Sequence, residues 1–237
     1  MKKITSLFFI LIIIISTKIS FAQNTSGTFM INSKGTINGT IPDSLLFVLR
    51  DFSIGTLILK DGSNQAGKIN INTYNQEIWF IDAKRDTLTL SKEYEVSMVK
   101  IQNTLYKKIH DDYAAILSED GDYKFGIIKK LSIKEPPKEA AYGGTSDISS
   151  VNSISSINDG TGSHLLNRYK NAPYVFSVIP IIIKNSRVYY PTKKNLKKIF
   201  PKNKDEIEIY LKHHKIDFYN AHQVKNTYNY FIKKQNN

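Results

Sequence analysis

Between Gly55 and Lys134 the chain repeats one arrangement, short runs of alternating apolar and polar residues separated by brief polar links. In GKININ (67–72), Ile69 and Ile71 alternate with Lys68, Asn70 and Asn72. Successive side chains of a strand point to opposite faces, so this period of two builds a half-buried strand and cannot make an apolar helix stripe. DTLTLSK (86–92) repeats the pattern, with Leu88 and Leu90 set against Thr87, Thr89 and Ser91. EIWFID (77–82) is apolar at every interior position, as a strand covered on both faces requires. VSMVKI (96–101), YAAIL (113–117) and KFGIIKKLSI (124–133) follow. Six or seven such strands predict an antiparallel β meander closed into a small barrel or a sandwich. Just upstream, IPDSLLFVLRDF (41–52) fits either a buried strand or a short helix capped by Asp43.

Pro136-Pro137 interrupts the pattern, and residues 143–163 carry seven Ser, four Gly and no aromatic residue. Such a composition buries too little apolar surface to offset its ordering entropy, which predicts a flexible linker or loop. Beyond it, YVFSVIPIIIKNSRVYY reads as two strands around Lys184-Asn185-Ser186, with Pro180 marking an edge. The period then becomes helical. Leu196, Ile199 and Phe200 share one face, and Pro201 ends that helix. Asn203 with Glu206 and Asn220 with Gln223 have capping-box spacing before two further helices, the second striped by Val224, Tyr228 and Phe231. The expected class is therefore α+β: a β-rich module over 23–135, a Ser/Gly-rich linker or loop over 136–172, and an α+β module over 173–237 with a strand pair and about three short helices.

The first 22 residues have the pattern of a secretory signal peptide. Lys2 and Lys3 precede nine apolar residues from Leu7 to Ile15, and Ser20-Phe21-Ala22 supplies small residues for cleavage before Gln23. Nine residues are too few to span a bilayer, which takes about 20. An exported chain is expected, in the periplasm, attached to the outer membrane, or secreted, with no transmembrane segment after cleavage. The chain has no cysteine. Thiol catalysis, thiolate metal sites and lipidation of an N-terminal Cys are thereby excluded, and stability must come from packing. Removing Lys2, Lys3 and Lys18 with the leader leaves 30 basic against 21 acidic residues, a charge of +9. Such a balance suits an anionic partner, a lipid head group or an acidic glycan of the envelope ahead of nucleic acid, but basicity alone names no partner and simple solubility is the preferred reading.

The stretches GTLILKDGSNQAGKINI, EIWFID with DTLTL, VSMVKIQNTLY, AAILSEDGDYKFGII, NLKKIFPKNKDEIEIYLKHHKIDF and NTYNYFI together resemble a family of exported, signal-peptide-bearing proteins common in Bacteroidetes. The resemblance covers about two-thirds of the mature chain and implies a hairpin-rich N-terminal module with a C-terminal lysine-rich helical segment. It carries no activity. The chain departs from the pattern at Tyr228-Asn229-Tyr230-Phe231 and in its long Ser/Gly segment.

Candidate sites can be weighed by their chemistry. Asp61-Gly62 and the group Glu119, Asp120 and Asp122 suggest calcium, which takes clustered carboxylates. Counting from Asp61, the later positions of a calcium loop would be Ser63, Gln65 and Asn72; counting from Asp120, Lys124 would enter the shell. Asp-Gly is also the preferred pair of a tight hairpin, and turns are the expectation. Adjacent His213 and His214 diverge by about 100° on a helix and so do not share a metal, His222 lies beyond the next cap, and no H-E-x-x-H motif occurs. GTGSH (160–164) is no nucleophile elbow and falls in the expected linker. No metal, cofactor or catalytic residue is assigned, and the balance leans away from an enzyme, with a site assembled only in three dimensions as the alternative. The strongest surface feature is cationic: Lys193, Lys194, Lys197, Lys198, Lys202 and Lys204, with no acid among them. Either these lysines project into water from a packed helix, or they meet an anionic surface while Leu196, Ile199 and Phe200 enter a bilayer interface.

Overall fold

A computed structural model describes residues 25–31, 37–38, 42–133, 138–139, 145–146, 156–158, 163–165 and 170–235. The expected signal peptide (1–22) and most of the Ser/Gly-rich stretch lie outside the described residues. The strands are β1 (Thr25–Ile31), β2 (Ile37–Asn38), β3 (Ser53–Leu59), β4 (Asn64–Ile71), β5 (Ile78–Ile81), β6 (Thr87–Thr89), β7 (Val96–Ile101), β8 (Thr104–Ile109), β9 (Asp112–Asp120) and β10 (Tyr123–Ile133). Two small ladders follow, β11 (Lys138–Glu139) with β12 (Thr145–Ser146) and β13 (Ser156–Asn158) with β14 (Ser163–Leu165). The long β15 (Lys170–Lys184) and β16 (Arg187–Tyr189) complete the strands. The helices are α1 (Asp43–Leu46), α2 (Lys193–Ile199), α3 (Lys204–His214) and α4 (Ala221–Gln235). Twelve strands form one antiparallel sheet in the order β2-β1-β15-β10-β9-β8-β7-β3-β4-β5-β6, with β16 also on β15. The α+β class and the antiparallel meander hold, but the sheet stays open, with β2 and β6 at its ends.

β15 comes after the Ser/Gly-rich stretch yet pairs with β10 from Tyr123↔Lys184 to Ile133↔Tyr174, and with β1 over Lys170 to Phe176. Elements before and after that stretch therefore share one sheet. Proline's missing N–H explains where two prolines can sit. Pro180 lies between the reach of β1 and that of β16, so it has a neighbouring strand on one side only. Pro173 pairs with β1 just beyond the end of β10. The β15–β16 hairpin turns through Asn185 and Ser186, both at positive φ, the geometry of a two-residue turn.

Alternation along β15 sorts its side chains. Phe176, Val178 and Ile182 enter the main core, while Ile181 and Ile183 join Ile109, Ala114 and Ile128 in a smaller cluster on the other face. The three C-terminal helices close the main core. Tyr228 meets Phe125 at 5.6 Å between ring centroids, Phe200 stacks on Tyr123 at 5.7 Å, and Phe231 meets Phe200 at 5.5 Å. The expected α4 stripe is present, with Val224, Tyr228 and Phe231 all buried.

Several local expectations are corrected. Asp43 is the first residue of α1 rather than its cap, and the Pro42 carbonyl accepts the Leu45 and Leu46 N–H groups. Leu88 is 44% exposed, on β6 at the edge of the sheet. Asn203 makes no cap bond to the backbone, because its side-chain amide donates to Glu206 instead. Asn220 does cap α4, accepting from the N–H groups of His222 and Gln223, while Gln223 reaches back to the Asp217 N–H.

Candidate functional site

A strand that places Ile69 and Ile71 in the core should show its polar residues to water. Here Asn70 and Asn72 are buried instead, with Thr73 and Gln76 just beyond. Burial of an amide is tolerable only when its donors and acceptors are paired. Asn70 meets that condition by acting as a surrogate strand. Its Oδ1 accepts from the Leu49 N–H (3.3 Å), and its Nδ2 donates to the Leu49 carbonyl (2.8 Å). Thr73 donates its hydroxyl to the Leu45 carbonyl and its N–H to that of Leu46. Lys129 Nζ reaches the Val48 carbonyl at 2.8 Å, and its burial lowers its pKa. Gln76 ties Thr73 to Lys129 and to the Tyr113 N–H. Side chains of the sheet thus hold the backbone of residues 42–51 in place against it.

The consequence is a groove. Cross-strand partners share a face, so Lys68, Ile81 and Thr87 form one row across β4, β5 and β6, with Asn70 and Trp79 in the next. These side chains, Asn70 excepted, make the floor; Leu46, Phe47, Arg50, Asp51 and Phe52 make the wall. The space is about 490 Å³ and open to solvent on one side, a volume within the range of small-ligand sites. Its aromatic rings brace one another: Phe47 meets Phe52 edge-on at 5.1 Å and Trp79 at 5.6 Å. Trp79 is the only tryptophan of the chain. Its Nε1–H is shielded from water and has no acceptor among the described residues. Arg50 and Lys68 stand at the groove without an ion-pair partner among the described residues.

No reading of the sequence assigned this site. The uninterrupted apolar run EIWFID carried the available signal, since a strand covered on both faces needs a cover, and residues 42–52 supply it. Asn70 and Asn72 gave no such signal, because alternation alone does not distinguish an outward amide from one that pairs with a crossing backbone.

The six lysines lie where a helix on the sheet puts them. Leu196, Ile199 and Phe200 are buried at 1%, 0% and 0%, so they hold α2 to the core and are unavailable to a bilayer. Lys193 and Lys197 both pair with Glu208 of α3, and these two hydrogen-bonded cations, Lys197 first, hold its carboxyl down at about 2. Lys194, Lys198, Lys202 and Lys204 are exposed and make no ion pair among the described residues.

The remaining candidates resolve into local structure. Asp61 Oδ1 accepts from the Ser63 N–H (2.8 Å) and hydroxyl (2.7 Å), which lowers the Asp61 pKa, and Gly62 beside it has φ +86°. Gly121, at φ +56°, turns β9 into β10, where Lys124 pairs with Glu119. Both Asp-Gly loops are hairpin turns. His214 stacks on Tyr210 at 4.1 Å, and His213 is exposed. Ser163 and His164 lie in β14. Among the described residues no three His, Cys, Asp or Glu side chains come together as a metal site, and no helix is long and apolar enough to cross a membrane. No family model, curated protein or solved structure matches the chain.

Proposed function

We propose that the chain is an exported binding protein without catalytic activity, whose ligand sits in the groove between residues 46–52 and the β4–β6 floor. The observation that carries this reading is the make-up of the groove: three aromatic rings and two cations lacking partners among the described residues, set around an open space of about 490 Å³. Ring faces and fixed charges bind; proton transfer would need an acid and a base placed against one another, and among the described residues Asp51 is the only carboxylate lining the groove. The signal-peptide pattern supports an envelope or extracellular setting. The position of Trp79 makes the test direct. A panel of envelope-derived glycans and small anions should contain a ligand that shifts Trp79 emission saturably, and Phe52→Ala should weaken that response at least tenfold. A panel that leaves the emission unmoved, while calorimetry detects binding, places recognition elsewhere and overturns the reading.

A second reading rests on Lys194, Lys198, Lys202 and Lys204. Four exposed cations with no carboxylate partner among the described residues suit attachment to an anionic surface through charge alone.

A further inference from the structure

We infer that the groove recognises a carboxylate-bearing saccharide, an inference that rests on the binding role proposed above. Four features of the lining point to this chemistry. First, its charged lining is mostly cationic: Arg50 and Lys68 line the site, and among the described residues its only carboxylate is Asp51. Second, Arg50 and Lys68 make no ion pair among the described residues, although Asp51 lies beside Arg50 in the chain, so neither cation is committed to a carboxylate of the described residues. Charge-assisted bonds to an anion are about twice as strong as neutral ones, and the planar guanidinium suits a carboxylate. Third, Phe47, Phe52 and Trp79 bring aromatic rings to the same space, apolar surface that a purely ionic ligand would leave unused.

The fourth feature is shape. The groove is open along one side, so whatever occupies it stays partly hydrated. A wholly apolar ligand would gain little there. A sugar ring matches, because one face presents C–H groups to the negative faces of Phe52 and Trp79 while its rim of hydroxyls meets water, Asp51 and Thr87. The volume accommodates one or two such rings.

The test compares trisaccharides of galacturonic acid and of glucuronic acid with their methyl esters, using the full exported chain and Trp79 emission as readout. The acid forms should bind saturably and the esters at least tenfold more weakly, and Arg50→Gln or Lys68→Gln should each erase most of that difference without moving the melting temperature. Phe52→Leu should weaken acid and ester alike. Equal binding of acid and ester would overturn the carboxylate inference and leave the groove reading standing. Binding seen by calorimetry that leaves Trp79 emission unchanged, and that disappears when Lys194, Lys198, Lys202 and Lys204 are replaced by Gln, would overturn both.

Discussion

Asn70 is the residue on which the groove depends without lining it. Its amide completes both backbone groups of Leu49, and no other side chain of β4 bonds the wall at that point. Asn70→Ala should leave the Leu49 N–H and carbonyl unpaired where a water cannot easily replace them, lowering stability by about 1–3 kcal/mol. The same change should loosen residues 46–52 over Trp79. A urea titration is therefore expected to show an earlier midpoint, and the emission of the folded protein to shift to the red. An unchanged emission maximum would mean that the remaining bonds, from Thr73, from Lys129 and from the Val48 N–H to the Ile71 carbonyl, hold the wall without Asn70. Tyr228 offers a different residue-scale signature. Burial first, and then the nearby Asp120, pushes its hydroxyl up to about 12. A raised phenol pKa favours the folded state fully below the ordinary value near 10, and that contribution is lost as pH climbs from 10 towards 12.

At the scale of elements, one carboxylate is shared by two lysines across α2 and α3. Glu208 pairs with both Lys193 and Lys197 and offsets one of their two charges, so the cationic face of α2 is held below its full charge. If that face meets an anionic surface, Glu208→Gln should strengthen binding to phosphatidylglycerol vesicles by roughly fivefold, each lysine near such a surface being worth about 1 kcal/mol. Acidification has the same direction: the depressed carboxyl contributes its pairing above the ordinary value of 4.5 and loses it as pH falls towards 2. Replacing Lys194, Lys198, Lys202 and Lys204 by Gln should abolish vesicle binding. Weaker binding after Glu208→Gln would remove the surface reading. Elements were the most legible level of this sequence. The Asp61-Gly62 and Gly121 turns, the stripe of Val224, Tyr228 and Phe231, and the stop at Pro201 depend on local chemistry alone, and all are present. What failed depends on distant neighbours. Leu88 is exposed because β6 happens to end the sheet, and Glu206 is drawn from its capping role by Lys234, Tyr230 and Asn203. The groove is illegible for the same reason, since residues 46–52 come to lie beside β4–β6 through distant contacts that no local pattern encodes.

For the whole molecule, the decisive fact is that β10 and β15 lie side by side over eleven residue pairs, with the Ser/Gly-rich stretch between them in sequence. That composition makes 143–163 the expected first site of proteolysis. A cut there should not release a separate β-rich piece. The two fragments should co-elute on size exclusion and part only in denaturant, because the main core draws side chains from both. A folded N-terminal fragment eluting alone would show instead that residues up to 133 suffice for a core.

The pairing of β1 carries a consequence for the order of events in the cell. Thr25 finds its partner in Phe176, 151 positions later. At a synthesis rate of about 5–20 residues per second, the first strand waits roughly 8–30 s for the strand it will lie against. Throughout that interval the emerging chain can finish its hairpins but not its sheet. For the exported chain proposed above, threading across a membrane during synthesis would keep the sheet unfinished until β15 has followed β1 to the far side.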